Sequence, residues 1–190
     1  DNVGVYRQAF LVASNAVLVL PLGFSMSAYY FLNREPEKHP SAVFNILIFN
    51  FVIGGLAFFT LFFFPQILGT AFQSQEMTRL APLIGVLIWL WIFSSFLETV
   101  ALAMQEARLT AFFIVTAQLI KTALMTTAVL FYANVDSLIY ASIVLFVLQA
   151  IVLLVYLHGR FPYFWKNFDL SFFRRQMAYA LPFGLSVLLY

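Results

Sequence analysis

Apolar residues in this chain run on without the alternation of a half-buried strand, and they form stretches that match the ~20 residues one bilayer crossing requires. Five such stretches are complete, at 9–32, 41–64, 81–104, 109–133 and 138–157, and a sixth begins at 177. Each predicts a helix rather than a barrel strand, because the runs are long and continuously apolar and a helix satisfies its own backbone hydrogen bonds in lipid. The expected fold class is all-α, a polytopic transmembrane helix bundle. Pro21 and Pro182 fall inside spans, where each removes a backbone donor and predicts a kink, while Pro65 and Pro82 stand at span ends.

The gaps between spans set the organisation and the orientation. Residues 1–160 hold the five helices, 161–176 read as a cytoplasmic interfacial linker, and 177–190 begin the next helix, cut off at Tyr190. With Asp1 at the start and an apolar run at the end, the sequence reads as a piece of a longer protein. Arg34, Lys38, Arg108, Arg160, Lys166, Arg174 and Arg175 fall on one side of the spans, Arg7 and Arg79 on the other, and Lys121 on neither. That bias places the first group in the cytoplasm and residue 1 outside. The outer segment 65–79 carries Ile67, Leu68, Ala71 and Phe72 at helical spacing, which fits an interfacial helix or an ordinary connecting loop. The inner segment 161–176 joins Tyr163, Phe164, Trp165, Phe168, Phe172 and Phe173 to Lys166, Arg174 and Arg175, the makeup of an aromatic belt beside anionic headgroups. Asp169 or Ser171 is positioned to cap the helix that follows.

Composition agrees with lipid as the main solvent. Apolar residues make up 63% of the chain, charged residues 9%, and the mean hydropathy is +0.94. The net charge of +2 would permit nucleic acid as a partner, but the basic residues sit in short loops beside spans, where topology accounts for them, so nucleic acid is excluded. There is no cysteine, hence no disulfide or thiolate site. His39 and His158 lack metal-ligand spacing, and the chain has no GxSxG elbow and no P-loop. No metal, no cofactor and no enzymatic activity are expected from these residues.

Chemistry therefore rests on polar groups within spans. Glu98 and Lys121 stand out, because a charge in the hydrocarbon costs at least ~2.5 to 3.5 kcal/mol and normally faces a bundle interior or an aqueous cavity. Helical spacing groups Trp91, Ser94, Ser95, Glu98 and Gln105 on one side of the third span, and Gln118, Lys121 and Met125 on one side of the fourth. Counted from the cytoplasmic ends at ~1.5 Å per residue, Glu98 lies ~9 Å deep and Lys121 ~18 Å deep, so a shared cavity competes with a structural pair bridged by the Lys stem. In the first span Arg7, Ser14, Pro21 and Ser25 fall near one face, with Arg7 at the outer mouth, where it lines a route or snorkels to headgroups. For Asn45, Asn50 and Gln118, interhelical hydrogen bonding is the plainer reading, and Gly54 and Gly55 offer close helix approach.

Two stretches carry a family likeness. VGVYRQAF, residues 3–10, resembles the glycine-aromatic stretch after the first periplasmic loop of polysaccharide (O-antigen) flippases in the multidrug/oligosaccharidyl-lipid/polysaccharide exporter superfamily. RRQMAYALPFGLSVLLY, residues 174–190, resembles the start of their seventh helix, and the short gap QEARLT with a Lys in the following span fits helices two to six. The resemblance covers nearly the whole chain and implies most of the N-terminal lobe of a two-lobed transporter in the bacterial cytoplasmic membrane. Such a protein flips undecaprenyl-diphosphate-linked oligosaccharide units outward by alternating access for O-antigen, capsule or exopolysaccharide assembly. In that case the lipid-linked oligosaccharide, membrane lipids, the second lobe, and polysaccharide polymerase with its chain-length machinery are the implied partners. Arg7 and Lys121 become candidate diphosphate or sugar contacts, with Gln118, Asn45 and Asn50 as further substrate-binding candidates and Glu98 balancing charge or relaying a coupling ion. Three alternatives stay open. A cation-coupled multidrug exporter would favour acidic cavity groups. A lipid-linked peptidoglycan precursor flippase would share the pattern. An integral membrane glycan polymerase or acyltransferase would need catalytic groups in a long loop, and nothing here exceeds 65–79.

Overall fold

The computed structural model describes residues 2–132 and 134–188, and the described residues form helices joined by short turns, with no strand. The helices are α1 (Asn2–Val19), α2 (Ser27–Arg34), α3 (His39–Phe63), α4 (Gln66–Phe72), α5 (Gln75–Ser94), α6 (Phe96–Ala103), α7 (Ala107–Phe131), α8 (Val135–Arg160) and α9 (Leu170–Leu188). Short 3₁₀ turns at Phe24–Met26, Pro36–Lys38 and Phe164–Lys166 join some of them. Four units are long and apolar enough to cross a membrane, and a fifth if α1 and the Phe24–Arg34 stretch are counted as one broken span. This architecture is consistent with a multi-pass membrane protein. The expected span end at 133 and the residues 189–190 lie outside the described residues.

The first span differs from a single kinked helix over 9–32. Pro21 has no N–H to continue the ladder, and Leu22 and Gly23 both adopt the left-handed conformation, with φ of 48° and 66°. The chain reconnects through tight turn bonds, Leu22 N–H to the Val19 carbonyl at 3.1 Å and Phe24 N–H to the Pro21 carbonyl at 2.8 Å. The two halves consequently meet at 49°. The third span also departs from expectation. It begins at Gln75, with Ser74 accepting from the Met77 N–H at 3.4 Å, so Pro82 sits inside a helix rather than at its end. It then breaks at Ser95, where the Ser94 and Ser95 hydroxyls turn back onto the Trp91 and Ile92 carbonyls at 3.3 and 2.8 Å. Segment 65–79 accordingly divides into the short helix α4, with Leu68 buried and Ile67 exposed, and the first turn of α5.

Helix α5, continued by α6, is the centre of the bundle: 56% of its most apolar window is buried, against 33% in α3 and α8 and 6% in α7. It runs against α3 at very short range. A Cβ built on Gly54 would lie 3.1 Å from the Trp89 Cα, and one on Gly85 would lie 3.1 Å from the Phe58 Cα, so the two backbones touch at two levels. Trp89 fixes the register by donating its indole N–H to the Phe51 carbonyl at 3.0 Å. Gly55, by contrast, has only ordinary contacts, so Gly54 alone of that pair permits the approach.

Ionic contacts mark the two ends of the bundle. At one end Lys38 pairs with Asp169 at 3.1 Å, Arg160 with Glu106 at 2.9 Å, and Arg175 with Glu35. At the other, Arg79 forks onto both oxygens of Asp136 at 3.1 and 2.9 Å. Groups that charge counting put on one side are thus physically linked at one end.

The last helix starts at Leu170, seven residues before the expected 177. Asp169 is its cap, accepting from the Phe172 N–H at 3.0 Å and from the Ser171 hydroxyl at 2.7 Å. Those bonds, the Phe172 N–H foremost, together with Lys38, hold the Asp169 carboxyl well below the ordinary carboxylate range. A carboxylate depressed in this way contributes stability that is complete above its unfolded pKa and is lost as the pH falls through that value towards the folded one. Thermal unfolding in detergent between about pH 6 and pH 2 is expected to show the advantage of wild type over Asp169→Asn shrinking on acidification. A pH-independent difference would contradict it.

Candidate functional site

A cavity of about 310 Å³ lies between the α5–α6 junction, α7 and α8. Its polar lining consists of Ser94, Ser95 and Glu98 from α5–α6, Thr116, Gln118 and Lys121 from α7, and Gln149 from α8. Its apolar lining includes Phe112, Ile114, Leu148 and Val152, all of them exposed, so the edge between α7 and α8 is greasy. The break at Ser95 shapes this wall. Because Ser94 and Ser95 bond back to their own helix, their carbonyl-directed hydroxyls sit beside the cavity at the point where the helix loosens.

Lys121 is half-buried, fourteen residues into α7 and hence about 21 Å from its basic end. Its ammonium lies 5.3 Å from the Phe10 ring centroid, and that ring belongs to an aromatic group with Trp91 (5.2 Å) and Phe146 (stacked on Trp91 at 5.0 Å). No carboxylate stands within ion-pair distance of Lys121 among the described residues. Glu98 is exposed on the same cavity, five residues from the end of α6, and it too makes no ion pair or hydrogen bond among the described residues. The two opposite charges therefore share a cavity without neutralising each other.

The other sequence-derived candidates separate. Gln118 lines the cavity with Lys121. Arg7 is exposed on α1 and is not part of the lining. Asn45 and Asn50 are fully buried elsewhere. Asn45 donates to the Asp169 carbonyl at 3.1 Å and to Gln176 Oε1 at 2.9 Å, tying α3 to α9. Asn50 donates to the Ser25 hydroxyl at 3.2 Å and the Ile92 carbonyl at 3.4 Å, pinning the broken first span to α3 and α5. Both are occupied by structural bonds, which removes them from a substrate-facing wall. Gln105, expected beside Glu98, lies past α6 with φ of 59° and donates to Asn33 at 2.9 Å instead. Met125 accepts the Tyr6 hydroxyl at 3.8 Å, a contact that draws α7 towards α1.

Sequence reasoning missed Gln149 and Thr116. The signal for Gln149 was present: it is the one amide in the apolar run 138–157. Thr116 offered none, since Thr satisfies itself on helix carbonyls in any apolar span. Among the described residues no group of three or more His, Cys, Asp or Glu side chains is assembled for a metal ion. No protein-family model, curated protein or solved structure matches the chain.

Proposed function

We propose that this chain forms most of the N-terminal lobe of a two-lobed transporter in the bacterial cytoplasmic membrane. Its substrate is an undecaprenyl-diphosphate-linked oligosaccharide, flipped outward by alternating access for O-antigen, capsule or exopolysaccharide assembly. The observation that carries this reading is an intramembrane ammonium, Lys121, without a carboxylate partner, in a cavity that sets polar side chains among apolar ones. An unpaired cation at that depth costs a few kcal/mol on insertion scales. A phosphate oxygen brought to about 4 Å offsets this, because one unit charge pair at an effective dielectric of about 20 attracts by roughly 4 kcal/mol. An anionic head is thereby favoured over a cationic drug.

The parts then take distinct roles. Lys121 attracts the diphosphate, while Gln118, Gln149, Ser94 and Ser95 offer hydrogen bonds to sugar hydroxyls. The apolar edge between α7 and α8 accommodates the prenyl tail. Glu98 faces the same space and, without pairing with Lys121, offsets the net charge of the cavity or carries the coupling ion. A second lobe supplies the facing wall.

The test is deletion of the complete gene in its host. Lipid-linked repeat units accumulating on the cytoplasmic leaflet, with surface polysaccharide lost and both defects reversed by the intact gene, support the reading. Normal surface glycan together with altered drug sensitivity overturns it in favour of the multidrug branch.

A further inference from the structure

The stretch between α8 and α9 is not a slack linker. Phe161 and Phe164 are 5% and 6% exposed and plug into the core formed by α3, α6 and the end of α8. Between them Tyr163 takes φ of 60°, a left-handed conformation that a bulky side chain rarely adopts. The two Phe side chains go in, and Tyr163, Trp165, Phe168 and Leu170 go out, with exposures of 41% to 63%. Four large, mostly apolar groups held outward side by side on one ledge mark a surface made for something other than water. Trp165 is further fixed by stacking on His158, with centroids 5.4 Å apart and planes 8° from parallel.

The charges on the same ledge divide into two kinds. Lys38, Arg160 and Arg175 at this end are neutralised by Asp169, Glu106 and Glu35. Lys166 and Arg174 have no ion pair among the described residues, and the Lys166 ammonium rests 5.5 Å from the exposed Tyr163 ring. Exposed Trp and Tyr beside unneutralised Lys and Arg is the combination that partitions to the headgroup region of an anionic leaflet, with the rings at the glycerol level and the cations on phosphates.

We propose that the 163–174 ledge is a binding surface for anionic phospholipid headgroups, with Tyr163, Trp165 and Phe168 inserted and Lys166 and Arg174 selecting negative charge. This surface is separate from the cavity, so it stands whether or not the transport reading holds. It takes lipid already in the membrane and makes no claim on the transported molecule.

The chain's lack of cysteine makes the test direct. The full-length protein, freed of any cysteine outside this chain, carries Phe168→Cys labelled with a small fluorophore and is reconstituted in vesicles of phosphatidylcholine with phosphatidylglycerol. Either lipid is supplied in brominated form at equal mole fraction as quencher. The expected result is at least twofold stronger quenching by brominated phosphatidylglycerol than by brominated phosphatidylcholine. The preference falls to unity in the Lys166→Gln/Arg174→Gln background and is unaffected by millimolar inorganic phosphate. A label at Leu119→Cys, exposed at mid-span, is expected to show no preference in either background and controls for folding and reconstitution. Equal quenching by the two lipids at position 168, a preference that survives the double substitution, or loss of the preference to free phosphate would each overturn the proposal.

Discussion

Replacing Lys121 with Gln is expected to reduce export of lipid-linked repeat units by at least about tenfold, a loss of roughly 1.4 kcal/mol or more, while the protein accumulates and unfolds as wild type does. The side chain is half-buried and its ammonium lies against the Phe10 ring, so removing the charge leaves no orphaned carboxylate and no broken network among the described residues. Gln is one carbon shorter, keeps a hydrogen-bond donor and removes the cation. An Lys121→Arg variant is expected to retain part of the activity, since charge is kept although the donor geometry changes. Measuring translocated repeat units per copy of protein separates the two cases. Unchanged export by Lys121→Ala at a normal protein level would end the assignment of this cation to substrate.

Asn45→Leu is expected to do the reverse, lowering stability by about 2 to 3 kcal/mol through an orphaned buried polar group while leaving the cavity intact. Asn45 is fully buried, and its amide supplies the donor to Gln176 Oε1, itself fully buried. Gln176 keeps its own donations to the Ser27 hydroxyl and the Ala42 carbonyl, so it is held in place with an unsatisfied oxygen. The double variant Asn45→Leu/Gln176→Leu is expected to recover part of the loss, because removing both partners leaves fewer groups unpaired than removing one. Gln118→Leu, on the exposed side of α7, is expected to stay within about 0.5 kcal/mol of wild type. Thermal unfolding in detergent ranks the three. An Asn45→Leu protein as stable as wild type would mean that the α3–α9 junction is held by packing alone.

These two residues show how far the sequence could be read. Asn45 and Lys121 look alike in one dimension, each a polar group inside an apolar run. Lys121 could be singled out because a cation has no inexpensive partner within its own helix, which forces it towards a cavity or a counter-ion. An Asn amide has many inexpensive partners, and which one it finds depends on the neighbour that packing brings. Here that neighbour is α9, 131 residues further along the chain. Gln105 failed for a related reason: helical spacing assigns a face only while the helix continues, and α6 ends at Ala103.

The broken first span illustrates the same limit from the backbone side. Pro21 announced a disturbance, but a proline inside a membrane helix yields a mild kink or a full break according to what satisfies the freed groups. Asn50 and Ser25, clasped across the gap, are part of what makes the break tenable. That clasp joins residues 25 apart in sequence and was invisible until both helices were placed.

By itself the sequence determined the helical class, the approximate length and order of the apolar spans, and the sorting of Lys and Arg to the two ends. These depend on local hydrophobicity and charge, which each residue carries wherever its neighbours lie. Tertiary structure alone decided that α7 stands at the edge, that α5 forms the centre, and that Glu98, Lys121, Gln118 and Gln149 share one space. Helices apolar on every side have no amphipathic stripe to announce their inner face, so in this protein the choice of face is made by backbone contact at Gly54 and Gly85 and by buried amides such as Asn45.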